Sequence, residues 1–319
     1  MRFHRTTVDP CGKGPDATYG PYTRKIPVLG REEAEKRAGR LGLSDSHICP
    51  QIESPVARRP ATMEFGIGGR YCKLTCHVGI ERPRGRREPC QGFTRNSRRR
   101  MMAKMAMIDQ TQAPLPLFIT LTYPESFPGD WETWKAHLQA FRKRFERRWQ
   151  EKMFIIWKLE LQERGAPHFH LMVYTERFIP YTWIRDAWYD IVGSEDPAHY
   201  KAGTSITRIR SARGAMFYIS KYMAKPVGTG EGYVPVKMGR IWGVWNEKLA
   251  PMQPQEVVLL LSEFWQVRRV LNHYMEKHGR QASSGRRYDG MFTFIDSDTC
   301  WKILQWAGVV DEEDIACVS

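Results

Sequence analysis

No stretch of this chain approaches 18 consecutive apolar residues; the longest greasy patch is Val257-Val258-Leu259-Leu260-Leu261, and Met1 to Gly20 is polar rather than a hydrophobic leader. The expectation is a soluble protein of the cell interior with no membrane partner. A Gly-x4-Gly-Lys-Ser/Thr phosphate loop is also missing, which argues against a built-in helicase of the usual kind. There is no internal repeat and no low-complexity tract. A metal-free phosphoesterase with paired His-x-Thr/Ser motifs is disfavoured, because a single His-x-His appears and no second copy follows. Cysteine is sparse and odd in number, at 7 of 319 residues, which with an intracellular setting argues against a disulfide framework.

The charge is present but unevenly spread. The formal net charge is +14, and residues 1 to 100 hold 21 Lys/Arg against 10 Asp/Glu, whereas the rest of the chain holds 28 against 25. Arg82, Arg84, Arg86, Arg87, Arg95, Arg98, Arg99 and Arg100 crowd one segment, the composition expected where a phosphate backbone is neutralised. The same segment carries Cys72-x3-Cys76-His77, with Cys49 upstream and Cys90 downstream. These could gather a structural Zn²⁺ from four thiolates, or from three and an imidazole; the alternative is buried, reduced and inert thiols. Cys11, Cys300 and Cys317 form no cluster.

Three regions follow from these patterns. Residues 1–110 form a basic, Cys/Arg-rich extension that begins as an irregular Gly/Pro-bearing arm, with helical candidates at Arg31 to Leu41 and Arg98 to Ile108. Residues 111–250 show the tightest patterning. Leu117 to Tyr123 is a β-rich run before Pro124. From Asp130, an N-cap candidate, Trp134, Leu138, Phe141, Phe145 and Trp149 recur at helical spacing. A hairpin then runs from Ile155 to Gln162 and back from His168 to Tyr174. After it come a helix from about Tyr181 to Ile191, a strand at Ser205 to Ile209, a helix from about Gly214 to Lys225, and a strand within Gly239 to Trp245. That order describes an α+β domain with helices on one face of an antiparallel sheet, leaving the other face for a site. Residues 251–319 read as mostly helical, with one long helix from Pro254 to His278 and an acidic tail at Asp311 to Asp314.

The hairpin carries the first chemical signal. Side chains two apart on a strand share a face, so His168 and His170 point one way and Phe169 the other, and Glu160 can reach them across the pair. Two imidazoles and a carboxylate make an open metal site, with Gln162 competing for the third place; Glu163 is excluded by parity if the strand runs that far. The second signal is Tyr218-x-x-Lys221-Tyr222-x-x-Lys225. On a helix, residues four apart share a face, and a lysine one turn from a phenol stabilises its phenolate. An aromatic core stripe is the bland alternative, although the paired lysines would need solvent or an anion.

Taken together, Phe118-Ile119-Thr120-Leu121-Thr122-Tyr123-Pro124, Glu160 eight residues before His168-Phe169-His170, and the doubled Tyr/Lys segment resemble in order and spacing the three motifs of HUH endonucleases that initiate rolling-circle replication. The likeness is greatest to the two-tyrosine A-type initiators of small single-stranded DNA phages and related plasmid or prophage proteins, and it covers about residues 115 to 250. Gly239 to Trp245 also resembles a downstream Gly-Arg-x-Trp-Gly-Val stretch of such proteins.

The resemblance implies a ferredoxin-like nuclease domain of about five strands, with Mg²⁺ or Mn²⁺ held by Glu160, His168 and His170. It implies attack by Tyr218 or Tyr222 on single-stranded or extruded origin DNA, giving a 5′-phosphotyrosine and a free 3′-OH, with Lys221 and Lys225 neutralising charge. A host polymerase and a separate host helicase in the cytoplasm of a bacterial host cell would then be partners. A transposase or relaxase with the same chemistry, and a non-catalytic nucleic-acid-binding regulator, are the competing readings.

Overall fold

The computed structural model of the chain describes residues 26–29, 31–40, 61–76, 93–211, 238–279 and 291–311. In chain order the elements are β1 (Ile26–Leu29), α1 (Arg31–Arg40), β2 (Ala61–Ile67), β3 (Cys72–Thr75), α2 (Arg95–Ala106), β4 (Leu117–Thr122) and α3 (Trp131–Trp149). They continue with β5 (Phe154–Leu161), β6 (Pro167–Tyr174), α4 (Tyr181–Val192), α5 (Pro197–Ala202), β7 (Thr204–Arg208), β8 (Trp242–Trp245), β9 (Gln253–Leu259), α6 (Leu261–Lys277), β10 (Met291–Thr293) and α7 (Ser297–Trp306). The chain divides into two compact units, one centred on residues 114–251 and the other built from 25–113 together with 252–319.

The first unit is a five-stranded sheet in the order β7-β4-β6-β5-β8, with every pairing antiparallel. Leaving out the edge strand β8, the succession β4-α3-β5-β6-α4-β7 with β4 and β6 at the centre is the ferredoxin-like α+β arrangement. Helix α3 starts where Asp130 accepts a 2.7 Å hydrogen bond from the Thr133 backbone, as its position before the periodic run predicts, and it buries Trp134, Leu138, Phe141 and Phe145. Helix α4 buries Ile184, Ala187 and Trp188, and ends at Gly193, whose φ of 66° suits a residue without a Cβ. The Trp188 ring meets Phe141 of α3 edge-on at 6.1 Å and Phe169 of β6 at 6.3 Å, so α3 and α4 cover the face of the sheet that carries Phe169. His168 and His170 point the other way.

The second unit is a five-stranded sheet ordered β1-β9-β2-β3-β10, parallel between β1 and β9 and antiparallel elsewhere. One face buries Met63, Phe65, Cys72, Leu74, Val257, Leu259 and Met291 together with Phe264, Val267 and Leu271 of α6 and Trp301, Ile303 and Leu304 of α7. Val258 points oppositely, into a small cluster with Ala34, Ala38 and Leu260. A buried ion pair fixes α1 there. Arg37 meets Glu263 at 2.8 and 3.1 Å and donates to the Val258 carbonyl at 2.8 Å, while Glu263 accepts from the Leu260 amide at the start of α6.

Three expectations are corrected. Pro254 to His278 is not one helix: Gln253–Leu259 is a strand, and the helix begins only at Leu261. Val257, Val258 and Leu259 sit between β1 and β2 with both faces covered, so an uninterrupted apolar run serves as a central strand. The regions before and after residues 111–250 are also not separate bodies. β9 pairs with β2 along its whole length and β10 with β3, so the two ends of the chain share one sheet. Residues 1–60 are more than an irregular arm, because β1 and α1 belong to this unit. Among the described residues no helix is long and apolar enough to cross a membrane.

Candidate active site

Register decides which side chains meet on the helix-free face of the first sheet. Across β4 and β6, Thr120 stands opposite His170 and Thr122 opposite His168; across β5 and β6, Lys158 stands opposite His170 and Glu160 opposite His168. Six polar side chains therefore share one patch of three adjacent strands. The turn joining β5 to β6 closes through Gln162 N to Ala166 O at 2.9 Å, with Gly165 at φ 79°, where a Cβ would be strained. Arg164 ties that turn to the loop after β4, donating to the Tyr123 carbonyl at 2.7 Å and the Pro124 carbonyl at 2.8 Å.

The contacts within the patch form a relay of partners. Thr122 Oγ1 lies 3.0 Å from His168 Nδ1, and Thr120 Oγ1 lies 3.3 Å from His170 Nδ1. His170 Nε2 is 3.1 Å from Glu160 Oε2, and Lys158 Nζ donates to Glu160 Oε1 at 2.5 Å. The two imidazole centroids are 4.5 Å apart, and Phe118 stacks on His170 at 5.2 Å. Thr122 is itself held by its backbone, since its carbonyl lies 2.7 Å from Trp188 Nε1 and 2.8 Å from His199 Nε2.

Burial sets the protonation states. It is the main reason the His168 pKa falls to about 4, assisted by His170 and opposed by Glu160, so this imidazole is neutral near pH 7. For Glu160 burial pulls upward, yet the hydrogen bond with His170 and the charge and hydrogen bond of Lys158 outweigh it and hold the carboxyl below its ordinary value. A neutral imidazole and an ionised carboxylate are the forms that ligate metals.

The donor set fits a hard divalent ion in three respects. Each Nδ1 faces a threonine hydroxyl, the arrangement that orients a metal-ligating imidazole through its far nitrogen. Among the described residues no hydrogen bond reaches Nε2 of His168, which is only half-buried. The 3.1 Å between His170 Nε2 and Glu160 Oε2 is close to the roughly 3 Å that separates adjacent ligands of an octahedral ion with bonds of about 2.1 Å. Among the described residues no three His, Cys, Asp or Glu side chains are already gathered as a completed ion-binding group. One Glu160 oxygen is taken by Lys158 instead.

The other sequence candidates separate cleanly. Gln162 lies past the end of β5 with its amide oxygen 3.3 Å from Arg164 Nε, and Glu163 is in the exposed turn. Tyr218, Lys221, Tyr222 and Lys225, with their expected helix, lie outside the described residues, as do Cys49 and Cys90. Cys72 and Cys76 are buried in the apolar core of the second unit. Burial pushes the Cys76 thiol up to about 11. Cys300, which its position in the chain does not group with any other, lies beside Cys72; burial first, and then that neighbour, push its thiol well up. Lys158, Thr120 and Thr122 join the site only through the structure. The parity of Trp157-Lys158-Leu159-Glu160 is the one signal that could have found Lys158, since it puts that lysine on the face of Glu160.

Residues 116–227 match a family model for replication-associated proteins of the ORF2 and phage gene 2 protein type. The chain is also 27% identical over 220 residues to the replication-associated gene 2 protein of Pseudomonas phage Pf3, a span covering 66% of this chain and 77% of that protein. No solved structure matches. The matched span includes both histidines, Glu160 and the Tyr/Lys segment, and with it the chain resembles the A-type rolling-circle replication proteins of phages.

Proposed function

We propose that the protein is a metal-dependent endonuclease and strand transferase that nicks single-stranded or extruded origin DNA through a tyrosine nucleophile and so initiates and terminates rolling-circle replication. The observation that carries this reading is the juxtaposition of His168, His170 and Glu160 on the helix-free face of a ferredoxin-like sheet, with each Nδ1 facing a threonine. The replication-associated relatives favour an origin over a transposon end or a transfer origin as the DNA partner.

His168, His170 and Glu160 would hold Mg²⁺ or Mn²⁺. When bound, such an ion supplies positive charge next to the scissile phosphate and polarises it. Tyr218 or Tyr222 loses its phenolic proton, its oxygen forms the new bond to phosphorus, and the bond to the 3′-oxygen breaks to leave a free 3′-OH. Lys221 and Lys225 offset the charge of phenolate and phosphate. The second tyrosine would cleave the regenerated origin after one round, and the free 3′-OH would reverse the link to close the released circle. Extension from the 3′-OH and unwinding would fall to a host polymerase and helicase in the bacterial cytoplasm. Tyr123 is no substitute nucleophile, since burial, and then Asp130, push its phenol far up, and its hydroxyl is 3.0 Å from His137 Nδ1.

The test is a panel of labelled single-stranded oligonucleotides from the replicon, incubated with Mn²⁺ or with EDTA and resolved on a denaturing gel. The expected result is a metal-dependent covalent adduct that persists in Tyr218→Phe and in Tyr222→Phe and disappears in the double variant. Binding without an adduct on any oligonucleotide would instead identify a nucleic-acid-binding regulator.

A further inference from the structure

Lys158 is the one member of the polar patch that the proposed chemistry does not use. Its side chain is 0% exposed, it stands opposite His170, and its ammonium lies 2.5 Å from one oxygen of Glu160. Its immediate predecessors on β5, Ile155, Ile156 and Trp157, are all buried and apolar, so an aliphatic side chain would fit the strand pattern without the loss of hydration that a buried ammonium suffers. The charge must therefore act on what it touches.

We propose that Lys158 is a resident counter-cation for the metal site: it keeps the patch assembled in the absence of metal and keeps metal binding weak and exchangeable. This rests on the reading of Glu160, His168 and His170 as metal ligands. Two consequences follow from the geometry. With Oε1 committed to Lys158, Glu160 presents only Oε2, the oxygen already beside His170 Nε2, so the carboxylate ligates through one atom and with reduced negative charge. A divalent ion on Oε2 would also lie one carboxylate away from a fixed positive charge in partly dehydrated surroundings, where like-charge repulsion is weakly screened. Both effects lower affinity. Lys158 thus acts through Glu160 as a positioning residue, and it is not a catalytic one.

The experiment is calorimetric titration of the full chain with MnCl₂, comparing wild type with Lys158→Met, Lys158→Gln, Lys158→Arg and Glu160→Gln. Each is also melted with and without Mn²⁺. Removal of the charge is expected to tighten the apparent Kd for Mn²⁺ on the order of tenfold or more. Lys158→Arg should stay near wild type, and the melting temperature of the two neutral variants should fall without Mn²⁺ and recover with it. A lysine that only filled space would leave the Kd unchanged or weaken it, and that result in both neutral variants while they remain folded would overturn the proposal. If Lys158→Met does not fold without metal but folds on addition of Mn²⁺, the proposal is supported. Mn²⁺ binding that is equal in wild type and Glu160→Gln, or absent from folded wild type, would overturn the metal-site reading itself. Binding lost in Glu160→Gln but unaltered by either neutral Lys158 variant would overturn the Lys158 proposal alone.

Discussion

Replacing Thr122 by Val removes one oxygen from the patch and nothing else of consequence to shape. In the native sheet that oxygen lies 3.0 Å from His168 Nδ1, half-buried beneath the hairpin. If Nε2 is the atom offered to a metal, Nδ1 carries the proton and donates it to Thr122 Oγ1, which fixes both tautomer and ring orientation. Loss of such a partner typically weakens metal affinity by about 10–100-fold, equivalent to about 1.4–2.7 kcal/mol. The stability cost of the missing hydrogen bond should be nearer to about 1 kcal/mol. Thr120→Val should do less, because its contact with His170 is longer at 3.3 Å and Glu160 also orients that ring. Mn²⁺ titration by calorimetry, paired with thermal melts, separates the two effects. An unchanged Kd in Thr122→Val, or a larger loss in Thr120→Val than in Thr122→Val, would refute the claim that Thr122 aims His168 at a metal.

A second expectation concerns pH. With its pKa depressed to about 4 from an ordinary 6.5, His168 should titrate in NMR about two pH units lower than an exposed histidine. Because the unfolded chain binds the proton first, the stability contributed by neutral His168 is complete above about pH 6.5 and is lost as pH falls toward 4, at up to about 1.4 kcal/mol per pH unit; melts of metal-free protein across that window that show no such slope would count against it. In the second unit, Glu263→Ala strips Arg37 of a two-point partner and the Leu260 amide of its acceptor, both in buried surroundings. Breaking a buried pair from one side costs about 3–5 kcal/mol, which urea unfolding should register as a clear drop in midpoint.

The parts of the fold that are legible in the sequence are those with a strong local period. Strand β4, helix α3 and the β5–β6 hairpin show themselves through alternation, a capping aspartate and the spacing of Trp134, Leu138, Phe141 and Phe145, and each lies where its pattern puts it. Strand β9 does not, because Val257-Val258-Leu259 is as apolar as a buried helix segment and only pairing with β2, nearly 200 residues earlier, distinguishes them. That pairing is also why the two ends of the chain read as separate regions. In the site, His168, His170 and Glu160 are visible through spacing and parity. Thr120 and Thr122 are not, since threonine in a strand is ordinary β-propensity until register sets it against a histidine. Lys158 is hidden for a related reason: a lysine between apolar neighbours is normally read as solvent-facing, and its burial becomes evident only with the three strands assembled.

The central claim is that the helix-free face of the first sheet binds a divalent metal through His168, His170 and Glu160. Electron spin echo spectroscopy of Mn²⁺ added to the purified protein tests it most directly, because the modulation reports each coordinated imidazole nitrogen. The account predicts couplings from two histidines in wild type and from one in either His168→Gln or His170→Gln. Bound Mn²⁺ with no nitrogen coupling, or with couplings untouched by both substitutions, would contradict it.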